Sequence, residues 1–318
     1  MNKKNLNNTM EMLVCTVMLL ALGLAGIPAV HANVVVWDGG AGTSDWNTAN
    51  NWEPNEVPNG NTAGSTATIA LSGANVTMSG SASIRALSVG SAGATASTLN
   101  ITQNLSMYYA GMGVGGAGRG VVNHTAGIVS TGLNFASSGR LNIGSTSGTY
   151  NFGGVAATEP TAIISDQVLI GNNSGESGLL SMSGYGEFSS GGSISLAQTN
   201  GTGELRVEGG NLTISVGGAL SMCNSGSGSS TLTAVIDGTG FSTINITDGI
   251  QFDTGSGGNN TTFNLGIGAG FNPALGTTYT ILDAGAAFIG FARFNNVAEG
   301  TVLSAGDYWE LTAHYDNT

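Results

Sequence analysis

Short apolar clusters recur along the chain at a regular interval, separated by runs of Gly, Ser, Thr and Asn. Each cluster begins with an aliphatic residue followed by a small one, and three such pairs are equally spaced: Ile170-Gly171, Leu196-Ala197 and Met222-Cys223. A Leu that suits a strand follows at a similar distance in each copy: Leu180, Leu205 and Leu232. A repeat of about 26 residues is typical of solenoid proteins, because one copy cannot bury its own apolar face and stacked copies can.

The same pattern extends in both directions with less regular spacing. Three earlier pairs lead up to Ile170 at slightly unequal intervals: Val89-Gly90, Val114-Gly115 and Ile143-Gly144. Phe252 begins a further copy after a somewhat longer step. We therefore predict six copies that begin with such a pair and a seventh that begins at Phe252, together spanning residues 84–271.

Alternation within each copy indicates strands. In the stretch 204–208, Leu205 and Val207 point to one side, and the charged residues between them point to the other. Gly at fixed offsets suits coil corners that need a positive φ angle, and Asn and Thr suit turns and stacked ladders. The pattern predicts an all-β chain folded as a parallel β-helix, or β-solenoid, of about six to seven coils. Right-handed coiling follows from the general preference of parallel crossovers, and the alternative fold is an antiparallel β-sandwich.

Both ends of the chain depart from the repeat. Residues 33–83 hold three of the four Trp residues, close together in sequence, and we call these the Trp cluster: Trp37, Trp46 and Trp52. Residues 272–318 hold longer, more aromatic strand candidates and the fourth Trp, Trp309. An open terminal coil exposes a sheet edge with apolar side chains beneath it, so we predict that both end segments are aromatic caps. The competing interpretation of the Trp cluster is a platform on which sugar rings stack.

The N-terminal segment, residues 1–32, has the organisation of a secretory signal peptide. Lys3 and Lys4 give a basic start, residues 13–26 form a short apolar run, and residues 30–32 suit cleavage after Ala32. The apolar run is short for a membrane span of about 20 residues, so an uncleaved anchor is the less favoured alternative. We therefore expect a secreted or cell-surface protein with no membrane span after signal removal.

Composition and charge argue against several classes of partner. Gly accounts for 53 of the 318 residues and only 8% of residues are charged, which suits many short strands joined by tight turns. Cleavage after Ala32 would remove Lys3, Lys4 and Glu11, which leaves no Lys and changes the formal charge from −12 to −13. Such a chain offers no footprint for nucleic acid. Cys223 is then its single Cys, so we expect no intramolecular disulfide.

The chain carries no recognisable set of catalytic or metal-ligating residues. Asp237, Asp248 and Asp253 lie too close together in sequence to occupy equivalent points of successive coils, so we interpret them as turn residues. His124 and His314 lie in different regions, and the sequence has no Ser/His/Asp, HExxH or CxxC arrangement. The sequence therefore predicts no catalytic residue, no cofactor and no metal.

The segment that follows the signal peptide matches a known motif. Its pattern is roughly Trp-x-Gly-Gly, Trp-x-x-x-x-Asn-Trp, a Pro and Ala-x-Ile, and nine residues fit it: Trp37, Gly39, Gly40, Trp46, Asn51, Trp52, Pro58, Ala67 and Ile69. This segment resembles the mature N-terminus of secreted bacterial β-helix proteins of the PEP-CTERM and autotransporter-associated β-strand-repeat type. Ser65 and Thr66 stand where that pattern usually has an Asp. The resemblance implies an envelope or extracellular-matrix location and no defined biochemical activity.

One departure from that family concerns attachment. Its members often continue into a Pro-Glu-Pro sorting motif followed by a membrane helix, or into an outer-membrane barrel. The sequence as far as Thr318 contains neither. Two expectations follow, a truncated reading of a longer chain or a freely secreted relative.

Three functions are consistent with these observations. The favoured one is a secreted, non-enzymatic structural or adhesive β-helix protein of the cell surface or extracellular matrix, with polysaccharide or other envelope and matrix components as partners. The second is a glycan-binding module that uses the Trp cluster. The third and least favoured is a polysaccharide-degrading enzyme, which requires carboxylates or Arg from neighbouring coils to converge in one groove.

Overall fold

The computed structural model describes residues 33–59, 64–116, 118–132, 139–223, 228–252, 260–286, 294–304 and 310–314. Asn33–Thr318 forms one compact unit, and the predicted signal peptide, residues 1–32, lies outside the described part. The regular structure of the described chain is almost all β-strand, joined by turns and short connections, and its one helical segment is a short 3-10 helix at Ala49–Asn51.

Strands follow one another in sets of three, and each set makes one coil. Two strands precede the first coil: β1 (Val34–Trp37) and β2 (Trp52–Glu53). The first half of the solenoid contains β3 (Thr66–Ile69), β4 (Asn75–Thr77), β5 (Ala82–Ile84), β6 (Ala86–Val89), β7 (Ser97–Ile101), β8 (Leu105–Met107), β9 (Met112–Val114), β10 (Arg119–His124), β11 (Ile128–Thr131), β12 (Leu141–Ile143), β13 (Ser147–Phe152) and β14 (Thr161–Ile164).

The second half continues the same order. It contains β15 (Val168–Ile170), β16 (Ser177–Ser183), β17 (Gly186–Ser190), β18 (Ile194–Leu196), β19 (Thr202–Glu208), β20 (Leu212–Val216), β21 (Leu220–Met222), β22 (Ser229–Ile236), β23 (Ile244–Ile246), β24 (Ile250–Phe252), β25 (Thr261–Ile267) and β26 (Leu282–Ala284). Two further strands form a separate pair near the C-terminus: β27 (Val302–Ser304) and β28 (Glu310–Thr312).

The coils stack into three long sheets. Sheet A takes the first strand of each coil, from β3 to β24, and β1 and β2 extend it at the N-terminal edge. Sheet B takes the second strand, from β4 to β25, and sheet C takes the third, from β5 to β26. Among the described strands, antiparallel pairing is confined to β1 with β2 and β27 with β28. The predicted parallel β-solenoid is confirmed, and the alternative antiparallel sandwich is wrong.

Equivalent positions of the predicted repeat are strand partners in sheet A. The first residue of each predicted copy is the last residue of a sheet A strand, and it lies directly opposite its counterparts in the neighbouring coils. These seven residues are Val89, Val114, Ile143, Ile170, Leu196, Met222 and Phe252. Leu180, Leu205 and Leu232 are partners in sheet B in the same way. Because this register is unbroken, the unequal steps between copies are absorbed by the connections between strands.

The small residue of each pair lies at the corner where the chain leaves sheet A. The backbone φ there is positive, 84° at Gly115 and 95° at Gly144, which Gly adopts without steric strain. A Cβ at Gly144 would lie 2.3 Å from the carbonyl oxygen of Ser177 in the next coil. Ala197 and Cys223 take the same corner with φ of 51° and 49°, so the later coils accept a small side chain at a backbone cost of about 1–2 kcal/mol each.

A second column of Gly residues leads the chain into sheet B. Its four members are buried and pair directly with one another: Gly120, Gly148, Gly178 and Gly203. A Cβ at Gly148 would lie 2.3 Å from the carbonyl oxygen of Val114 and 2.5 Å from the backbone nitrogen of Gly144. The inner corner between sheets A and B is therefore too tight for a side chain in these coils.

The inward side chains fill the solenoid. On β19, Leu205 and Val207 are completely buried, whereas Glu204 and Arg206 point outward, as the alternation predicts. One continuous apolar cluster extends from the Trp cluster at one end to Phe252 and Phe294 at the other. Since each fully buried aliphatic side chain contributes about 1.5–3 kcal/mol, this interior is the main source of stability.

Candidate functional site

The three side chains of the Trp cluster meet at the N-terminal end of the solenoid. Antiparallel pairing of β1 and β2 places Trp37 opposite Trp52, and the connecting loop brings Trp46 beside them. The ring centroids of Trp37 and Trp52 lie 5.0 Å apart with planes at 90°, and those of Trp46 and Trp52 lie 4.8 Å apart at 72°. These edge-to-face contacts are favoured by the aromatic quadrupole. Nε1 of Trp52 also donates a hydrogen bond to the carbonyl oxygen of Trp46 at 2.8 Å.

Burial bears directly on the two interpretations of the Trp cluster. Trp37 is 4% exposed, and Trp46 and Trp52 are 0% exposed. A sugar ring can stack only on an indole face that is open to solvent, and none of these three offers one. The arrangement therefore favours a cap over a sugar platform.

The loop that carries Trp46 also covers an edge of sheet B. The backbone nitrogen of Thr77, in the edge strand β4, donates to the carbonyl oxygen of Ser44 at 2.7 Å. The backbone nitrogen of Trp46 donates in turn to the carbonyl oxygen of Thr77 at 3.0 Å. An unpaired edge strand is a template to which another chain can add, so these two bonds protect the end of the sheet.

Asn51 holds this loop in shape. The side chain is completely buried, and its Nδ2 donates to Oγ1 of Thr43 at 2.8 Å and to the carbonyl oxygen of Asp45 at 3.1 Å. Its Oδ1 accepts from the backbone nitrogen of Ala41 at 3.1 Å. The sequence motif includes Asn51 beside Trp52, but nothing in the pattern shows that one amide organises the whole loop. That role is visible only in the fold.

The C-terminal end is closed by a smaller aromatic group. The ring of Phe294 lies 5.1 Å from that of Phe252 and 5.3 Å from that of Phe263, and Phe294 is 6% exposed. Nδ2 of Asn296 donates to the carbonyl oxygen of Phe263 at 2.8 Å, and its Oδ1 accepts from the nitrogen of Phe263 at 2.9 Å. One amide thus makes the pair of bonds that a further strand would make to β25. Trp309, the other predicted cap residue, lies outside the described residues.

The carboxylates that the sequence groups together are separated in the fold. Oδ1 of Asp237 accepts from the backbone nitrogen and Oγ1 of Thr239 at 2.7 and 2.6 Å, which closes a turn after sheet B. Asp248 is exposed in a bend before sheet A, and Asp253 lies outside the described residues. Asp237 and Asp248 therefore belong to different corners of the solenoid.

The two histidines have local structural partners. Nδ1 of His124 lies 3.0 Å from the hydroxyl oxygen of Tyr150, and Nε2 lies 3.0 Å from the carbonyl oxygen of Gly127. A carbonyl can only accept, so Nε2 carries the proton and Nδ1 accepts from the Tyr150 hydroxyl. Burial lowers the pKa of His124 to about 4 and raises the pKa of Tyr150. His314 is exposed and pairs with Glu299 at 2.9 Å.

The outward side chains form columns because the coils are in register. On sheet C the central outward column holds Ser in five coils, interrupted once by Ile163: Ser83, Ser106, Ser130, Ser189 and Ser215. On sheet B the corresponding column holds three consecutive Asn residues: Asn100, Asn123 and Asn151. The outer faces therefore repeat a few small polar side chains from coil to coil.

The Asn residues of sheet B are joined by side-chain hydrogen bonds, and we call this arrangement the Asn ladder. Nδ2 of Asn100 donates to Oδ1 of Asn75 at 2.7 Å, and Nδ2 of Asn123 donates to Oδ1 of Asn100 at 2.9 Å. Nδ2 of Asn151 donates to Oδ1 of Asn123 at 2.8 Å. Amide ladders of this kind form where parallel strands stack in register. The sequence pattern indicates stacked Asn and Thr, but it does not show on which sheet they lie.

Comparisons with known proteins return no relative: no family model, curated protein or solved structure matches the chain. Within the described ranges, no group of three or more His, Cys, Asp or Glu side chains is placed to hold a metal ion. In that same part of the chain, no helix has the length and apolar character needed to cross a membrane. The resemblance to secreted bacterial β-helix proteins stays a prediction.

Proposed function

We propose that the chain is a secreted, non-enzymatic structural or adhesive β-solenoid of the cell surface or extracellular matrix. The observation that supports this most is the outer surface, on which columns of Ser, Thr and Asn repeat from coil to coil. Such a surface suits many equivalent contacts with a polymer or a matrix neighbour. A single catalytic site instead concentrates a few convergent groups in one concave place.

The sequence supports the extracellular part of this proposal. Residues 1–32 have the organisation of a signal peptide, and the chain that follows them lacks Lys and is strongly acidic. Its partners are then polysaccharide or other envelope and matrix components. Both aromatic end groups bury apolar surface that would otherwise promote uncontrolled association outside the cell.

Fractionation of cells that express the full chain tests the location. We expect the protein outside the cytoplasm, with an N-terminal sequence that begins at Asn33. A cytoplasmic protein that keeps residues 1–32 would overturn the secretion proposal.

Deletion of the gene separates the adhesive function from the enzymatic one. An adhesive or structural protein should be needed for attachment or for an intact matrix, while growth on polysaccharides stays unchanged. Loss of growth on one polysaccharide with normal attachment would instead favour the degrading enzyme.

A further inference from the structure

The first coils of sheet B present a neutral polar face built around the Asn ladder. Two outward columns cross β4, β7, β10 and β13 in register. The first column consists of Asn75, Thr98, Val121 and Thr149, and the second of Thr77, Asn100, Asn123 and Asn151. None of these eight side chains is charged, and each is half-buried or exposed. We call this area the ladder face.

The ladder leaves hydrogen-bonding capacity directed outward. A side-chain amide has two N–H donors and an oxygen with two lone pairs. Asn123 uses one N–H toward Asn100 and one lone pair toward Asn151. Its remaining N–H and lone pair have no partner among the described residues. A bonded ladder also holds the amide planes still, so a ligand would not have to order them.

We propose that the ladder face binds an uncharged polysaccharide of the surrounding matrix, with the sugar chain lying along the stack of strands. Neighbouring strands are about 4.8 Å apart, which is close to the length of one sugar unit in an extended β-1,4-linked chain. Successive sugars therefore lie opposite successive coils, and in the second column three of the four coils present an Asn amide to them. The hydroxyl groups of a neutral sugar both donate and accept, as the amides and Thr hydroxyls do.

Charge favours an uncharged ligand over an acidic one. The whole chain has a formal charge of −12, which repels anionic polymers at long range. Farther along the same sheet the outward positions of β19 hold Glu204, Arg206 and Glu208, and Arg206 pairs with Glu208 at 3.2 Å. On β4, β7, β10 and β13 the one charged outward residue is Arg119, at the start of β10, and its guanidinium donates to the carbonyl oxygen of Ala94 at 2.9 Å. The ligand is therefore expected over the eight uncharged side chains of the ladder face.

Co-sedimentation of the purified full chain with microcrystalline cellulose, an uncharged β-1,4-glucan, tests the proposal. We expect binding that persists in high salt, because no ion pairs are involved. Thr149→Lys places a long cationic side chain on the ladder face and should raise the Kd about tenfold or more, or about 1.4 kcal/mol. The matched control is Thr213→Lys, which makes the same change at an exposed outward position of β20 on sheet C and should bind as the wild type does.

Three results would overturn the proposal. They are a wild type that stays in the supernatant, a wild type that binds polygalacturonate but not cellulose, and equal losses in the two Lys variants. If Thr149→Lys fails to fold, as circular dichroism would show, Thr98→Lys makes the same test at another position of the same column. The inference rests on the proposed adhesive function, but binding is measured on purified protein. A failed localisation experiment and a failed binding experiment are therefore distinguishable.

Discussion

Inward and outward positions of the same strands follow different rules. On β13, Tyr150 and Phe152 point inward and are buried, while Thr149 and Asn151 point outward. Inside, most of the side chains are apolar but their size changes along a column, so that Val122 and Leu180 flank Tyr150 before Leu recurs in the next coils. Outside, small polar side chains are the commonest type. The inward positions are thus constrained by shape, and the outward positions mainly by contact with water.

This difference has a physical origin. An inward side chain is enclosed by the coils above and below it and by two other sheets, so neighbours must move if its volume changes. An outward side chain meets water on one side. We therefore expect that the direction of a side chain, more than its coil, decides the effect of a substitution.

The largest effect is expected at Trp46. Trp46→Ala removes a completely buried indole from the end of the core and should lower the free energy of unfolding by about 3–5 kcal/mol. Denaturant unfolding followed by circular dichroism measures this change. Leu275→Ala is the control, because Leu275 is 99% exposed and its loss should change stability by less than about 0.5 kcal/mol. A Trp46→Ala protein as stable as the control would show that the cap is not part of the core.

Gly148 tests the tight inner corner. In Gly148→Ala the new methyl group meets the carbonyl oxygen of Val114, and backbone cannot move aside as a side chain can, so we expect a loss of about 3 kcal/mol. Gly113 on β9 is the matched control. A Cβ there points outward and has its nearest neighbour, the carbonyl oxygen of Leu87, at 3.9 Å. Gly113→Ala should therefore be neutral, and equal losses at both positions would contradict the comparison.

Much of the fold can be predicted from sequence, because apolar residues recur at a regular spacing in each repeat. Each predicted aliphatic position, such as Ile143 or Leu196, is an inward residue at the end of a sheet A strand. Stacking forces like positions to pair, so periodicity is enough to predict the parallel register. The inner Gly column, with Gly148 as an example, is not predictable in this way, because its need for Gly comes from a carbonyl oxygen in another sheet.

The candidate sites are less predictable from sequence. Trp37, Trp46 and Trp52 are conspicuous by type, but their spacing alone is consistent with both a cap and a sugar platform. Their burial depends on the loop held by Asn51. The Asn ladder needs even more of the fold, because Asn100 and Asn123 come together only when the strands that carry them pair in sheet B.

Burial of His124 should make the stability of the fold depend on pH. The unfolded residue has a pKa near 6.5, and burial lowers the pKa in the folded chain to about 4. Between these values the unfolded state binds a proton that the folded state does not, so stability is full above pH 6.5 and falls as the pH drops toward 4. The loss should approach about 3 kcal/mol. Unfolding at several pH values should show a shallower fall for His124→Gln, and identical slopes for the two proteins would contradict this.

A substitution in the Asn ladder should have an effect on stability smaller than those at Trp46 or Gly148 and larger than that at a fully exposed residue. Asn123→Ala removes two side-chain hydrogen bonds, but the amides of Asn100 and Asn151 lie on an outer face, where water can replace the missing partner. We expect a loss of about 1 kcal/mol in the free energy of unfolding. A loss as large as that of Trp46→Ala would show that an outward side chain can matter as much to stability as an inward one.

The smallest effect is expected at Ser215, and its neighbour in β20, Ile214, provides the comparison. Ser215 points outward and is exposed, whereas Ile214 points inward and is 0% exposed. Ser215→Ala should change the free energy of unfolding by less than about 0.5 kcal/mol, and Ile214→Ala should lower it by about 2–5 kcal/mol. The two changes share one strand, one coil and one new residue type. A difference between them therefore reflects the direction of the side chain together with the apolar volume that each change removes, and similar values would mean that the coil as a whole sets the stability.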